Sequence, residues 1–246
     1  MKEMDFWEHL NELRARLIRC LIYVGIGSCI IWYYYPQIFS LLTLPIKPFL
    51  KEMKGRFVVV GITEPFVIKM EFSLILGAVI ASPPILMEIW GFLSPAFSPT
   101  ERKWVKLIVF PSALLFFTGV VFAYFVIPPG FKFLLQQSPP DVTPFLSINN
   151  YLMLLAKMFL AFGAVFQLPL ISMLLAGLGI INTKLMVSRW REIIVGIFVI
   201  GAIITPSVDV ITLLIVSLPI VFLYALSVLL TFIVERRRSK VAETNR

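Results

Sequence analysis

The chain has 246 residues, of which 59% are hydrophobic and only 15% charged, with a formal net charge of +8. An ordinary soluble domain is about 25% charged, and one of this length could not hide so much apolar surface from water, so lipid is the expected solvent. Apolar runs recur as far as residue 234, which excludes a large soluble domain on a single anchor, and cations in so apolar a chain read as membrane edges rather than a nucleic-acid surface.

Residues 1–16 read as a cytoplasmic amphipathic helix. Phe6, Leu10, Leu13 and Leu17 make one stripe, while Glu8, Glu12, Arg16 and Arg19 share the opposite face at 100° per residue. Those acids are expected to face water or a partner, with Glu12 and Arg16 spaced to pair along the helix. Acids at Glu3, Asp5, Glu8 and Glu12, and the lack of a short apolar core before a small-residue cleavage site, read against a cleavable signal sequence.

Six apolar segments follow: about 17–35, 65–90, 105–127, 151–178, 190–204 and 210–234, with a basic cytoplasmic tail at 235–246. The first stops before Pro36. Cys20 and Cys29 lie about 13 Å apart along it, too far to bridge, and read as small buried hydrophobes. The third stops before Pro128 and Pro129. The fifth is apolar only from Ile193 to Ile204, about 18 Å of helix, so it is expected to thin the bilayer and recruit the polar turn from Lys184 to Arg191. Pro83, Pro84, Pro111, Pro169 and Pro219 fall inside spans and are expected to kink them.

The cations orient the chain. Arg14, Arg16 and Arg19 at the start of span one, Arg102, Lys103 and Lys106 at the start of span three, Lys184, Arg189 and Arg191 at the start of span five, and the arginines of the tail all fall on one side of a six-span count. By the positive-inside rule that side is cytoplasmic. The expected fold is an all-α integral membrane protein, a single transmembrane domain over 1–246, with six kinked helices in a concave bundle, short fifth and sixth spans, and both termini inside.

Ionisable groups at depth need partners or a wet path. Lys69, Glu71, Glu88, Lys157, Gln167 and Asp209 are the candidates, and their distances from the span starts predict a Glu71–Lys157 ion pair. Gln167 is expected to hydrogen-bond to a neighbouring helix or a partner subunit. Ser98, Pro99 and Glu101 suit a capping box opening span three. A carboxylate there, after the aromatics Phe92 and Phe97, also suits a cationic peptide. With His9 as its one histidine, the chain offers no His-based triad and no His-rich metal site, so neither an enzyme nor a metal or cofactor is expected. An ion-coupled secondary transporter of small solutes is the alternative, but no motif repeats between the halves and the charges sit nearer the faces than the midplane.

Four stretches in order carry a resemblance: His9-Leu-Asn-Glu12-Leu-Arg14-Ala-Arg16-Leu17; Phe92-Leu-Ser-Pro-Ala-Phe-Ser-Pro-Thr-Glu101-Arg-Lys; Ala161-Phe-Gly-Ala-Val-Phe-Gln167-Leu-Pro169; and Gly201-Ala-Ile-Ile-Thr-Pro206-Ser-Val-Asp209. Together they resemble the TatC family, the multispan receptor subunit of the twin-arginine protein translocase, over nearly the whole length. The resemblance implies a prokaryotic cytoplasmic (inner) membrane protein that binds Arg-Arg signal peptides. It also implies assembly with single-span TatA/TatB-type subunits and with further copies of itself, and export of folded proteins on the proton-motive force. It implies that Glu12 and Glu101 engage the arginine pair, that Arg14, Arg16 and Phe92 shape the same surface, and that Pro45 and Asp209 are structural or assembly positions. Family members often carry a glutamate where this chain has Gln167, so a hydrogen-bonding role with partner subunits is implied there, since an amide both donates and accepts.

Overall fold

The computed structural model of the chain describes residues 6–52, 55–59, 61–96, 102–136, 145–205 and 210–244. Glu101 and Asp209 lie outside them. Helices dominate, and the chain divides into two compact units, Met1–Leu114 with Val120–Leu160, and Leu115–Gly119 with Ala161–Arg246.

The first unit opens on α1 (Phe6–Tyr33), a single helix of 28 residues. The expected amphipathic segment and first span are therefore one continuous element, because no helix breaker intervenes before Pro36, which sits in the first turn of α2 (Tyr35–Thr43). A turn through Pro45 leads to α3 (Lys47–Glu52) and to a short strand, β1 (Arg56–Val58). The expected second span is broken. Ala81 separates α4 (Glu64–Ile80) from α5 (Ser82–Leu93), which diverge by 55°. Pro83 and Pro84 fall in the opening turn of α5, where the missing N–H groups cost nothing, so they start a helix rather than bend one.

A 3-10 turn (Ser94–Ala96) closes α5, and α6 (Arg102–Gln136) follows. The helix runs on through Pro128 and Pro129, so these prolines do not end it where the apolar segment was expected to stop. Proline is tolerated within apolar helices where neighbouring groups take up the freed carbonyls. After α6 comes β2 (Phe145–Ser147), which pairs in parallel with β1 in the register Arg56↔Phe145. This small ladder departs from the all-α expectation. Phe57 on it packs 5.7 Å from the Tyr151 ring of α7 (Ile148–Val165), so an aromatic contact beside the ladder accompanies its pairing.

The core of this unit is built from Ile31, Ile46, Ile68, Phe72, Tyr151, Leu152 and Leu155, all almost fully buried. Helices α1 and α4 meet through small residues: a Cβ on Gly27 would fall 2.5 Å from the Gly77 carbonyl oxygen, and one on Gly77 would strike the Ser28 backbone. At the end of α2, Tyr151 donates its hydroxyl to the Leu42 carbonyl at 2.7 Å and Tyr124 donates to that of Leu41 at 3.0 Å. These supply donors to carbonyls that a helix terminus leaves over.

In the second unit α8 (Leu168–Gly177) follows a turn at Phe166 and Gln167, with Pro169 in its opening turn. Gly179, at φ 77°, lets Ile180 N–H reach back to the Leu175 carbonyl and stop the helix. Asn182 caps α9 (Thr183–Ser188) by accepting from Leu185 N–H at 2.7 Å. Next come α10 (Trp190–Ile204) and α11 (Val210–Thr244). The Glu235 carboxylate on α11 accepts from both the N–H and the hydroxyl of Thr183, and Tyr224 donates to the Met186 carbonyl at 2.8 Å, so α11 carries α9.

Four helical stretches among the described residues are long and apolar enough to cross a membrane: Trp7–Tyr33, Ile108–Gly130, Ile148–Gly177 and Val210–Arg236. The bent pair α4 and α5 makes a fifth candidate. At 15 residues α10 falls short of that length, as expected of the fifth span. The turn meant to extend it is a separate helix, α9, broken at Arg189. The stretch expected to be a short sixth span is not short, since it lies in α11, a 35-residue helix that absorbs Pro219 and whose Val210–Arg236 is a 27-residue candidate span.

Candidate functional site

The most highly charged contact in the first unit forms where α1 runs antiparallel to α5. His9, Glu12, Arg16 and Arg19 share one face of α1. Opposite them, Glu88, Gly91 and Phe92 share one face of α5. Phe92 stacks on His9 with ring centroids 4.4 Å apart and planes at 15°.

Arg16 bridges two acids. Its Nε and Nη2 donate to Oε1 of Glu12 at 2.9 and 2.6 Å. Its Nη1 donates to Glu88, at 2.8 Å to Oε2 and 3.2 Å to the main-chain carbonyl. Arg19 donates through Nη1 to both carboxylate oxygens of Glu88, at 2.7 and 3.0 Å. The Glu88 side chain is only 10% exposed, against 20% for Arg16 and 26% for Glu12. A carboxylate that buried is costly unless paired, and two arginines pair it. Gly91 leaves room for the arrangement, since a Cβ there would run into the Arg16 guanidinium. The Trp90 indole N–H, donating to Ser112 Oγ at 2.9 Å in the interior, ties α5 to α6 beneath the cluster.

The polar face of α1 is thus turned toward the protein, and its apolar stripe is exposed: Leu10, Leu13, Leu17 and Leu21 all face outward. In a bilayer that inversion is favourable, because lipid solvates the leucines while α5 supplies the charges with partners. Within this cluster all donors to Glu12 go to Oε1, and Oε2 accepts none. One acceptor therefore remains, on a carboxylate already fixed in place.

Of the residues singled out in the sequence, Glu12, Arg16 and Phe92 come together here, while Arg14 is exposed on the outward side of the same stretch of α1. Glu101 lies outside the described residues. Glu88 was one among several ionisable candidates and Arg19 one basic residue among many; their partnership across 69 positions leaves no local pattern. The i, i+3 spacing of Arg16 and Arg19 is the one signal that both could reach a single group.

The other candidates lie apart. Glu71 and Lys157 are both exposed and do not pair with each other in this structure; among the described residues the ion pairs are Arg16–Glu12, Arg16–Glu88, Arg19–Glu88 and Arg189–Glu192. Equal depth does not put two side chains on facing surfaces. Lys69 sits over the Trp32 ring at 4.3 Å, an alternative to a carboxylate for a cation among apolar groups. Gln167 is buried at the start of α8, its Nε2 donating to the Gly163 carbonyl at 3.4 Å. Pro45 lies in the turn that the Tyr124 and Tyr151 hydroxyls brace. Asp209 lies outside the described residues. No group of three or more His, Cys, Asp or Glu among the described residues is placed to share a metal ion.

Residues 8–219 match the family model of TatC, the Sec-independent protein translocase protein. A Sec-independent protein translocase protein TatC of Koribacter versatilis is 33% identical over 248 residues, covering 99% of this chain and 92% of that protein. One of Aquifex aeolicus is 36% identical over 241 residues, covering 97% and 99%. A crystal structure of the twin arginine translocase receptor TatC is 38% identical, covers 92% of this chain and 99% of its own, and superposes with a TM-score of 0.79.

Proposed function

The chain belongs to the TatC family of Sec-independent protein translocase proteins, and on that premise we propose that it is the receptor that binds the arginine pair of twin-arginine signal peptides at the α1–α5 end. The observation that carries the reading is the Oε2 of Glu12, which accepts no bond among the described residues, on a carboxylate held in place by Arg16. A guanidinium offers a planar fork of donors that a lysine ammonium cannot reproduce, so fixed carboxylates select Arg-Arg over Lys-Lys. Charge-assisted bonds of this kind contribute about 1.5–3 kcal/mol each, less where water reaches them. Glu12, Glu88, Arg16 and Arg19 cancel one another, so the second arginine of the peptide needs a further acid. Glu101 takes that role, following Phe92 in the same stretch of chain. Arg14 and Phe92 border the surface.

In this reading the site faces the cytoplasm, both termini and the basic tail 235–246 are inside, and α10 serves as a short sixth crossing beside the five longer candidates. Gln167 hydrogen-bonds to single-span TatA/TatB-type subunits, Pro45 and Asp209 are structural or assembly positions, and the chain assembles with further copies of itself in the cytoplasmic membrane. The complex exports folded proteins on the proton-motive force. Family membership gives an ion-coupled carrier of small solutes no support.

The test is cross-linking of an Arg-Arg signal peptide and its Lys-Lys version to membranes holding the intact chain, with Glu12→Ala and Glu101→Ala alongside. Strong labelling by Arg-Arg alone, lost in each variant, is the expected result. Equal labelling by both peptides, or none lost in either variant, overturns it.

A further inference from the structure

We propose that Glu88 is a positioning residue for this site: its carboxylate holds the Arg16 guanidinium so that Arg16 engages only Oε1 of Glu12, leaving Oε2 to an incoming guanidinium. The inference rests on the receptor reading above and adds a residue to it.

The geometry is specific. An arginine facing a single carboxylate settles into a two-oxygen fork, one N–H to each oxygen. Arg16 does not do this with Glu12; both of its donors converge on Oε1 while Nη1 is turned to Glu88, which takes it through Oε2 and the main-chain carbonyl. Glu88 can hold it there because its own carboxylate is nearly buried and hydrogen-bonded by both arginines. Arg19 completes the balance, neutralising Glu88 so that the acid does not draw Arg16 off Glu12 altogether. Gly91, with no side chain to intrude, lets the guanidinium lie against α5. Remove the Glu88 charge and Nη1 loses its ionised acceptor, keeping only neutral oxygens such as the main-chain carbonyl. Arg16 is then free to close the fork on both Glu12 oxygens, and the chain's own arginine takes the place kept for the ligand's.

The experiment uses the intact chain in detergent and fluorescent Arg-Arg and Lys-Lys signal peptides, with affinity read by anisotropy for wild type, Glu12→Gln, Glu88→Gln, the pair of those two, and Glu88→Gln/Arg19→Gln. Loss of one charge-assisted bond corresponds to about tenfold or more in affinity. Glu88→Gln is expected to weaken Arg-Arg binding by that factor and to shrink the preference over Lys-Lys. Adding Glu12→Gln should then cost little more, because both substitutions act through the same oxygen. The charge-balanced Glu88→Gln/Arg19→Gln variant should lose the preference too, and it carries the test if Glu88→Gln alone does not fold. An unchanged preference in Glu88→Gln, full additivity with Glu12→Gln, or restoration of the preference by the balanced variant each overturns the proposal, the last by making net charge the cause. A wild-type chain that does not distinguish the two peptides sinks the receptor reading itself, a separate result from a discriminating wild type with an indifferent Glu88.

Discussion

The first unit is held by two kinds of contact that differ in what they tolerate. Where α1 crosses α4, Gly27, Ser28 and Gly77 bring backbone against backbone with no space for another atom. Where α1 meets α5, the contact is made at the far ends of long side chains, Glu12, Arg16, Arg19 and Glu88, joined by hydrogen bonds. The seam specifies a distance; the charged end specifies a balance. A receptor has use for the second kind, because guanidinium groups can exchange on a carboxylate without moving a helix. The seam keeps α1 in place while they do.

The largest expected effect breaks the seam. Gly77→Leu drives a side chain into the Ser28 backbone, which cannot rotate away as a side chain could, so the helices must part. Overpacking of this severity costs about 3 kcal/mol or more, a fall of about 6–12 °C in the thermal midpoint of the purified chain in detergent. A midpoint within a degree of wild type would mean the seam is looser than drawn. Next comes the neutral end of the unit. Tyr151→Phe keeps the ring and removes the donor to the Leu42 carbonyl, leaving a buried acceptor short of its bond at a cost of about 1–2 kcal/mol. Tyr151→Leu gives up ring volume as well and is expected to cost about 3 kcal/mol. If Tyr151→Phe unfolds with the wild type, packing alone holds that turn; if the two variants unfold at the same temperature, the hydroxyl holds it and the ring volume adds nothing.

Periodicity and composition locate the apolar segments of the chain, and proline marks several of the boundaries, because both signals are local. They do not say which face of a membrane helix points inward. In water the leucine stripe of α1 would have to be covered, whereas in lipid it is the face left outside, so the same 3.6-residue pattern is compatible with either orientation. Pro83 and Pro84 read as a kink and turn out to start a helix, since their effect depends on whether the preceding residue is already free of the ladder. The Gly27–Gly77 seam could have been suspected from small residues in two apolar segments. Half of the site is legible in one stretch, Glu12 to Arg16, by its i,i+4 spacing. The other half is not: Glu88 becomes part of it because α5, set at 55° to α4 after Ala81, lies against the first turns of α1, a contact between residues 72 positions apart.

The smallest expected effect tests whether the charged end is held by balance or by bulk. Arg19 is 48% exposed and reaches Glu88 through one nitrogen, while Arg16 reaches the same carboxylate from the more buried side. Arg19→Gln therefore leaves Glu88 a partner, and a half-exposed ion pair contributes less than about 1 kcal/mol. A midpoint lowered by no more than about 4 °C is expected, well short of the fall for Gly77→Leu. Glu88→Leu should cost more than Arg19→Gln, because it leaves two arginines facing an apolar side chain, one of them largely buried. If Arg19→Gln were as damaging as Glu88→Leu, Arg19 would be an anchor of the fold and no longer the adjustable member of the set. The charged end would then be as rigid as the seam, with no slack for an arginine of a signal peptide to use.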